Sequence, residues 1–455
     1  MLFNSLTFFA LLLPTLATYW LAPWQRARLA LLLAASLVFY SYFHWPSVFL
    51  LLFTISFNYG MGRRQARVRS RLELAAIIAV NLSLLLWFKY AGFIADNLNE
   101  ALSLAGTPWH VTRPPAFLPL GISFFTFQVI AYQVDVFRGE IPAEPSFLRF
   151  AVFKSFFPQL IAGPIVRAKD FLPQLRERIR FDPALFHHGV WLVLAGLALK
   201  IGVADVLAQF ADEAFRAPET LSTSAAWTSL YAYAFQLYAD FWGYSTIAVG
   251  LAALFGLRLP LNFDTPYFSA SLQEFWRRWH ITLSAWFRDY VYIPLGGSRH
   301  HLARNLLVTM GLAGLWHGAG WPFVIWGLGH GLWLLIERYA PALPHEGRRV
   351  VRVLKTVLVF HGVCLLWVFF RSPSLAVAQE YFSRLLWPHA GTGTPSVLTN
   401  WLVMVLLAQW PLAWTFKDGR FPALPLKRQW LLALACLYFV LAYAGARVDF
   451  IYFNF

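Results

Sequence analysis

Charge is scarce in this chain. Asp, Glu, Lys and Arg make up only 13% of its 455 residues, against roughly 25% in soluble domains. That deficit excludes an ordinary water-soluble fold. Cysteine is almost missing: Cys364 and Cys436 are the only two, and each sits in an apolar run, where a free thiol behaves as a small hydrophobe. They supply neither a disulfide framework nor a zinc spacing, and no metal site is expected. A Gly-rich phosphate loop of the required form is absent too. So are long polar linkers: residues 167–182, 341–352 and the turn at 391–395 are too short to separate folded domains. The chain reads as a single integral domain over 1–455. It also lacks the internal repeat that marks many secondary transporters.

Apolar residues fill the space that charge leaves. They make up 59% of the chain, and mean hydropathy is +0.55. Runs near the ~20 residues needed to cross a bilayer recur at 6–21, 29–53, 74–94, 186–206, 230–255, 324–336, 353–370, 401–416 and 430–443. Less clean ones lie at 117–137, 150–165 and 306–316. In hydrocarbon the backbone must satisfy its own hydrogen bonds, so these are helices. They are too long and continuous for barrel strands. The sequence therefore predicts an all-α, multi-pass integral membrane protein with about eleven spans plus re-entrant or interfacial helices. Residues 6–21 have no basic stretch before them and no small-residue cleavage site after, so they read as the first helix rather than a signal peptide.

The net charge of +15 comes from 37 basic and 22 acidic residues. The basic ones sit in short loops rather than on one face, which excludes nucleic acid as a partner. Arg63, Arg64, Arg67, Arg69 and Arg71 are the densest group and read as cytoplasmic by the positive-inside rule. Residues 167–180 and 348–355 are two more such loops. With 29–53 counted as one span, the N-terminus is also inside, and Arg26 and Arg28 fall outside, against the rule.

The middle of the chain differs from the rest. From 262 to 304, Phe275, Trp276, Trp279, Trp286, Phe287, Tyr290 and Tyr292 alternate with Arg277, Arg278, Arg288 and Arg299. This is too charged to cross freely and reads as helices lying at the interface or dipping into a protein-walled recess. Ser271, Gln273 and Glu274 suit a helix start; Pro294, Gly296 and Gly297 suit its end. His280 sits in this segment, within one helical turn of Trp276 and Ser284. His317 follows in GLAGLWHGAGW, beside Trp316 and among Gly314, Gly318 and Gly320. An ionisable group at membrane depth is costly and marks a pathway or a reaction site. Imidazole is a general base near neutral pH without tuning. The competing readings are an interhelical hydrogen bond for His317 and an interfacial anchor for His280. His330, in GLGHG, reads as structural more readily than chemical. Asp240 and Tyr238 lie in an apolar run, where an aspartate must be paired or line a cavity. Asp289 pairs locally with Arg288. Gly163 and Pro164 break a helix in FPQLIAGPI. The aromatic tail Phe450 to Phe455 reads as an interfacial anchor, although a tyrosine near a histidine base is also a possible nucleophile.

Five stretches together resemble a known family. LPLGISFFTFQ (118–128), FPQLIAGPI (157–165), NFDTPYFSASLQEFWRRWHITLSAWFRDYVYIPLGGSR (262–299), GLWHGAGWPFVIWGLGHG (314–331) and the closing FIYFNF are similar to bacterial membrane-bound O-acyltransferases (MBOAT), above all the alginate O-acetyltransferase type. The resemblance implies a ring of tilted helices around a thin core, with a central funnel opening to each face. It implies that His317 is the essential histidine and His280 the second of the active site. In the D-alanyl transferase branch a partner ends in Phe-x-Tyr-x-x-Phe, whose tyrosine carries the acyl group. Phe450, Tyr452 and Phe455 are similar, which makes Tyr452 the third catalytic candidate. Trp316, Tyr238, Asp240, Gln159, Pro164, Asn262, Arg288, Asp289 and His330 are the expected channel or positioning residues. Two positions depart from the family pattern: Trp242 stands for a serine and Thr246 for an acid.

The expected activity is O-acetylation of an extracytoplasmic polysaccharide, alginate-like first, from the bacterial inner (cytoplasmic) membrane. Acetyl-CoA is the donor substrate and no cofactor is permanently bound. The expected partner is a periplasmic SGNH-type acetyltransferase or a polysaccharide-modifying complex. Peptidoglycan and cellulose are alternative acceptors, and a proton-coupled transporter using His280 and His317 as a relay is the reading from another class. The mechanism needs an imidazole that a thioester reaches from one side and a hydroxyl from the other.

Overall fold

Long apolar stretches become helices here, and they break where proline, glycine or clustered polar groups interrupt them. The computed structural model describes residues 1–115, 117–340, 348–393, 398–399, 402 and 426–443. No β-strand occurs among them; Leu221 and Thr392 form one isolated bridge. The chain packs as two compact units, one of Met1–Val190 with Ala248–Pro260, the other of Trp191–Ile247 with Leu261–Phe455.

The first unit holds α1 (Leu6–Leu21), α2 (Gln25–Ser41), α3 (Ser47–Val68), α4 (Arg71–Leu85), α5 (Ala91–Leu104), α6 (Ile122–Arg138), α7 (Phe147–Ser155), α8 (Phe157–Leu160) and α9 (Ala168–Arg176). Its boundaries with the second unit fall inside α10 (Pro183–Leu199) and α12 (Thr223–Leu254). The second unit also contains α11 (Asp205–Arg216), α13 (Leu272–Arg278), α14 (Ile281–Phe287), α15 (Leu302–His317), α16 (Trp321–Tyr339), α17 (Arg349–Arg371), α18 (Leu375–Leu386) and α19 (Leu426–Tyr443). Among the described residues, three continuous stretches could cross a membrane by length and composition: Arg71–Leu104, Pro183–Arg216 and Arg349–Arg371. The first two run through single π-helical turns, Leu86–Tyr90 and Lys200–Ala204. The expected span at 401–416 lies outside the described residues, apart from Leu402.

One expected span is two helices. The run 29–53 is interrupted at residues 42–46, between α2 and α3. With a turn between α2 and α3, the expectation that Arg26 and Arg28 fall on the opposite side from Arg63–Arg71 no longer follows. Arg28 Nη1 donates to the Ile179 carbonyl (2.8 Å) in the loop that carries Arg178 and Arg180. Arg176 and Arg149 both pair with the buried Glu144, at 2.9 and 2.8 Å.

Buried amides tie this unit together. Asn58 Nδ2 donates to Asn81 Oδ1 (2.9 Å), and Asn81 Nδ2 donates back to Asn58 Oδ1 (3.1 Å). Gln133 Nε2 donates to the Asn58 carbonyl (2.8 Å). These bonds link α3, α4 and α6 where no water competes, the setting in which polar side chains hold apolar helices together. Replacing Asn58 with Ala is expected to leave Asn81 Oδ1 without its donor, while Gln133 keeps the backbone carbonyl, and to remove about 1–3 kcal/mol. The check is thermal unfolding in detergent, and an unchanged midpoint would refute the role.

Candidate active site

Two helices of the second unit touch backbone to backbone. Gly314 of α15 faces the Phe323 carbonyl of α16, and Gly327 of α16 faces the Met310 carbonyl of α15; a Cβ on either glycine would collide with those atoms. Gly318 fits against the Phe323 ring in the same way. Small residues permit this approach. It places His317, the last residue of α15, beside the first turns of α16.

The histidines then alternate with tryptophans. His280 lies 6.0 Å from Trp316, ring centroid to centroid, and Trp316 lies 5.0 Å from His317. His317 is 5.1 Å from Trp326, and Trp326 is 4.8 Å from His330. Phe241 covers His280 at 4.6 Å, and Phe370 covers His317 at 5.0 Å. Trp276 meets His330 at 5.1 Å. Nearly every pair is edge to face, the arrangement that ring quadrupoles favour. All three histidines are buried, His317 keeping 2% of its surface. Among the described residues, aromatic side chains form the immediate surround of this ring.

His280 does not sit on a continuous helix as its spacing suggested. It occupies a corner between α13 and α14 in the left-handed region (φ 42°), which is strained for a residue with a side chain. Asn262 holds the corner. Its carbonyl accepts from the Ile281 amide (2.9 Å), its Oδ1 accepts from the Thr282 hydroxyl (2.7 Å), and its Nδ2 donates to Ser245 (2.8 Å). Asn262 thus fixes the backbone of this corner. The expected helix start is in place: the Ser271 hydroxyl accepts from the Glu274 amide (3.0 Å). Glu337 of α16 accepts from the Leu272 amide (2.6 Å), and this contact carries Trp276 onto His330.

Asp240 is paired, through a residue that the sequence reading passed over. Lys200 Nζ lies 2.8 Å from Asp240 Oδ1 and 2.7 Å from Asp205 Oδ1, all three side chains buried. One cation with two carboxylates leaves a net negative charge unless one acid holds a proton. Gly196 and Gly243 let α10 and α12 approach about one turn away. The available signal was a lysine inside one apolar run and an aspartate inside another. Tyr238 joins the aromatic wall, 5.1 Å from Trp242 and 6.0 Å from Trp279.

The remaining expected residues lie elsewhere. Arg288 pairs with its neighbour Asp289 (2.7 Å) at a π-helical turn, with 62% of the arginine side chain exposed, so this pair is a surface feature rather than part of the ring cluster. Gln159 and Pro164 are buried in the first unit. The Gln159 amide donates to the Phe153 carbonyl and so secures the break after α7. Tyr452 lies outside the described residues. Trp276 was noted as a neighbour of His280 and packs on His330 instead; Trp326, Trp367 and Phe370, the other walls around His317 and His330, were not singled out by sequence. A cavity of 850 Å³ lies between α13, α15, α16 and α17, lined by Ser271, Tyr292, Trp333, Arg338 and Lys355 among others.

These histidines, their glycine-set helices and the broken α13–α14 segment fall within residues 32–344, which match the sequence profile of the membrane-bound O-acyltransferase (MBOAT) family. The chain belongs to that family and is an acyltransferase of the membrane. Among particular relatives, it is 43% identical over 396 residues to the probable alginate O-acetylase AlgI of Pseudomonas aeruginosa, covering 85% of this chain and 75% of that one. It is 36% identical over 392 residues to the peptidoglycan O-acetyltransferase of Helicobacter pylori, covering 78% and 73%. A teichoic acid D-alanyltransferase of Streptococcus thermophilus is 31% identical over 235 residues, covering 48% and 56%.

Gly327→Ala is expected to force α15 and α16 apart, at about 1–3 kcal/mol of overpacking, and to lower acyl transfer more than Gly320→Ala, whose Cβ has room. Equal activity of the two variants would contradict this packing role. Lys200→Met should cost about 3–5 kcal/mol by leaving buried carboxylates without their cation. Adding Asp205→Asn and Asp240→Asn should recover most of that loss in thermal unfolding; a triple variant no better than the single one refutes the charge argument.

Proposed function

We propose that this protein O-acetylates an extracytoplasmic polysaccharide from the bacterial inner membrane, with cytoplasmic acetyl-CoA as donor. One observation carries the reading: His317 is packed between Trp316 and Trp326 and lies one ring away from His280. His317 acts as general base. It takes the proton of the acceptor hydroxyl as that oxygen attacks the thioester carbonyl. The carbon–sulfur bond breaks, and the coenzyme A thiolate leaves with a proton returned by the imidazolium. A positioned base of this kind is worth roughly 10²–10⁴ in rate. The dry aromatic surround strengthens every dipole aimed at the developing oxyanion. His280, fixed in its strained corner, orients the reacting groups.

The cavity beside α16 and α17, with Arg338 and Lys355 in its lining, suits the phosphates of the donor. The acceptor hydroxyl is the Tyr452 phenol, which passes the acetyl group to a periplasmic SGNH-type acetyltransferase and from there to the polymer. The named activities of the relatives favour a polysaccharide acceptor. An alginate-like exopolysaccharide ranks ahead of peptidoglycan because identity is higher to the alginate protein, at 43% against 36%. The test uses purified protein and acetyl-CoA labelled in the acetyl group. Wild type should acquire protein-bound label and, with the partner present, transfer it to uronate oligomers. His317→Ala should lose both by at least ~100-fold while remaining monodisperse. Undiminished transfer by that variant ends the catalytic assignment. Tyr452→Phe should abolish the protein-bound label; a labelled variant would exclude the phenol as carrier.

A further inference from the structure

A groove of 570 Å³ lies in the first unit, lined by Arg63, Arg67 and Arg69 near the end of α3, and opposite them by Ile141, Pro142 and Pro145 after α6. The neighbouring cations each have an acidic partner: Arg64 pairs with Glu73, Arg138 with Glu140 (3.6 Å), and Arg149 and Arg176 share Glu144. Arg63, Arg67 and Arg69 make no ion pair among the described residues.

The groove is held in shape by its own bonds. Arg69 ends α3 in the left-handed region (φ 48°), its amide donating to the Gln65 carbonyl (3.0 Å), while Gln65 Nε2 donates to the Ser70 carbonyl (3.0 Å). The Arg69 guanidinium lies over Gly139, where an added Cβ would stand 3.0 Å from Nη2. Arg63 Nη1 donates to Tyr59 Oη (3.4 Å), and that hydroxyl donates to the Pro145 carbonyl (2.7 Å), joining one wall to the other. The floor is cationic and one lip is apolar. Below it, α3 turns Phe49, Phe53 and Val68 outward, each about half exposed or more.

We infer that this groove binds the phosphodiester headgroup of an anionic phospholipid. The three guanidiniums take the phosphate oxygens, which arginine can engage bidentately. The glycerol lies on Ile141, Pro142 and Pro145, and the acyl chains run along the outward apolar face of α3. A free phosphate would use the arginines alone; the apolar lip and the greasy helix face beneath it select a lipid. Basic clusters at the cytoplasmic end of spanning helices attract anionic lipid in this way, by about fivefold per arginine.

The experiment uses the full chain, delipidated in detergent, with phosphatidylglycerol or phosphatidylcholine added back and bound lipid counted by native mass spectrometry. Wild type should retain phosphatidylglycerol in preference to phosphatidylcholine. The triple variant Arg63→Gln, Arg67→Gln, Arg69→Gln should lose at least tenfold of that retention, and Arg64→Gln, whose side chain is outside the groove, should not. If the triple variant does not fold, Arg67→Gln alone should lose about fivefold. Retention by the groove variants equal to wild type overturns the inference. So does displacement of bound phosphatidylglycerol by millimolar inorganic phosphate or adenosine 3′,5′-bisphosphate, which would make the ligand a soluble phosphate.

Discussion

The backbone contact between α15 and α16 governs the rest of the site. With side chains at Gly314 and Gly327 the two helices could not come this close. Without that closeness His317 and Trp326 would not be ring neighbours. The aromatic ladder from His280 to His330 depends on this one approach, because each ring is placed by the backbone it hangs from. Interiors packed at crystal-like density pass small displacements on to their neighbours, so a shift at the glycines reaches all three histidines.

Around that contact the second unit places its polar groups sparingly. Asn262 fixes a strained corner with three bonds. Glu337 caps α13 from α16. Lys200 pairs with both Asp240 and Asp205. Each buried charge or amide has a structural task, as expected where an unsatisfied group is costly. The histidines differ in that their environment is almost wholly aromatic.

Much of this was legible from residue order. Histidines in apolar sequence announced themselves by cost, and the glycines around His317 by their spacing. Asp240 was expected to be paired or in a cavity, and it is paired. Its partner was missed although Lys200 lies inside the 186–206 apolar run, because nothing in residue order says which helix meets Asp240. The 29–53 run was misjudged for a related reason: hydropathy averages across His44, Trp45 and Pro46, whereas the chain turns there. Arg288 lay in the right segment but is exposed and pairs with Asp289, and periodicity alone cannot assign the face of a helix that changes to a π-turn after about two turns.

By itself the sequence determined that this chain is helical and built for a membrane, because hydrophobic run length and backbone hydrogen-bond satisfaction are properties of local order; acyl transfer was legible only through the motifs that it shares with its family. Tertiary structure alone decided that His280, His317 and His330 form one aromatic-walled cluster, that Lys200 answers Asp240, and that Arg28 joins the Arg176–Arg180 loop. Those facts depend on which helices meet and how near, and that is set by small residues and buried bonds between positions tens to hundreds of residues apart.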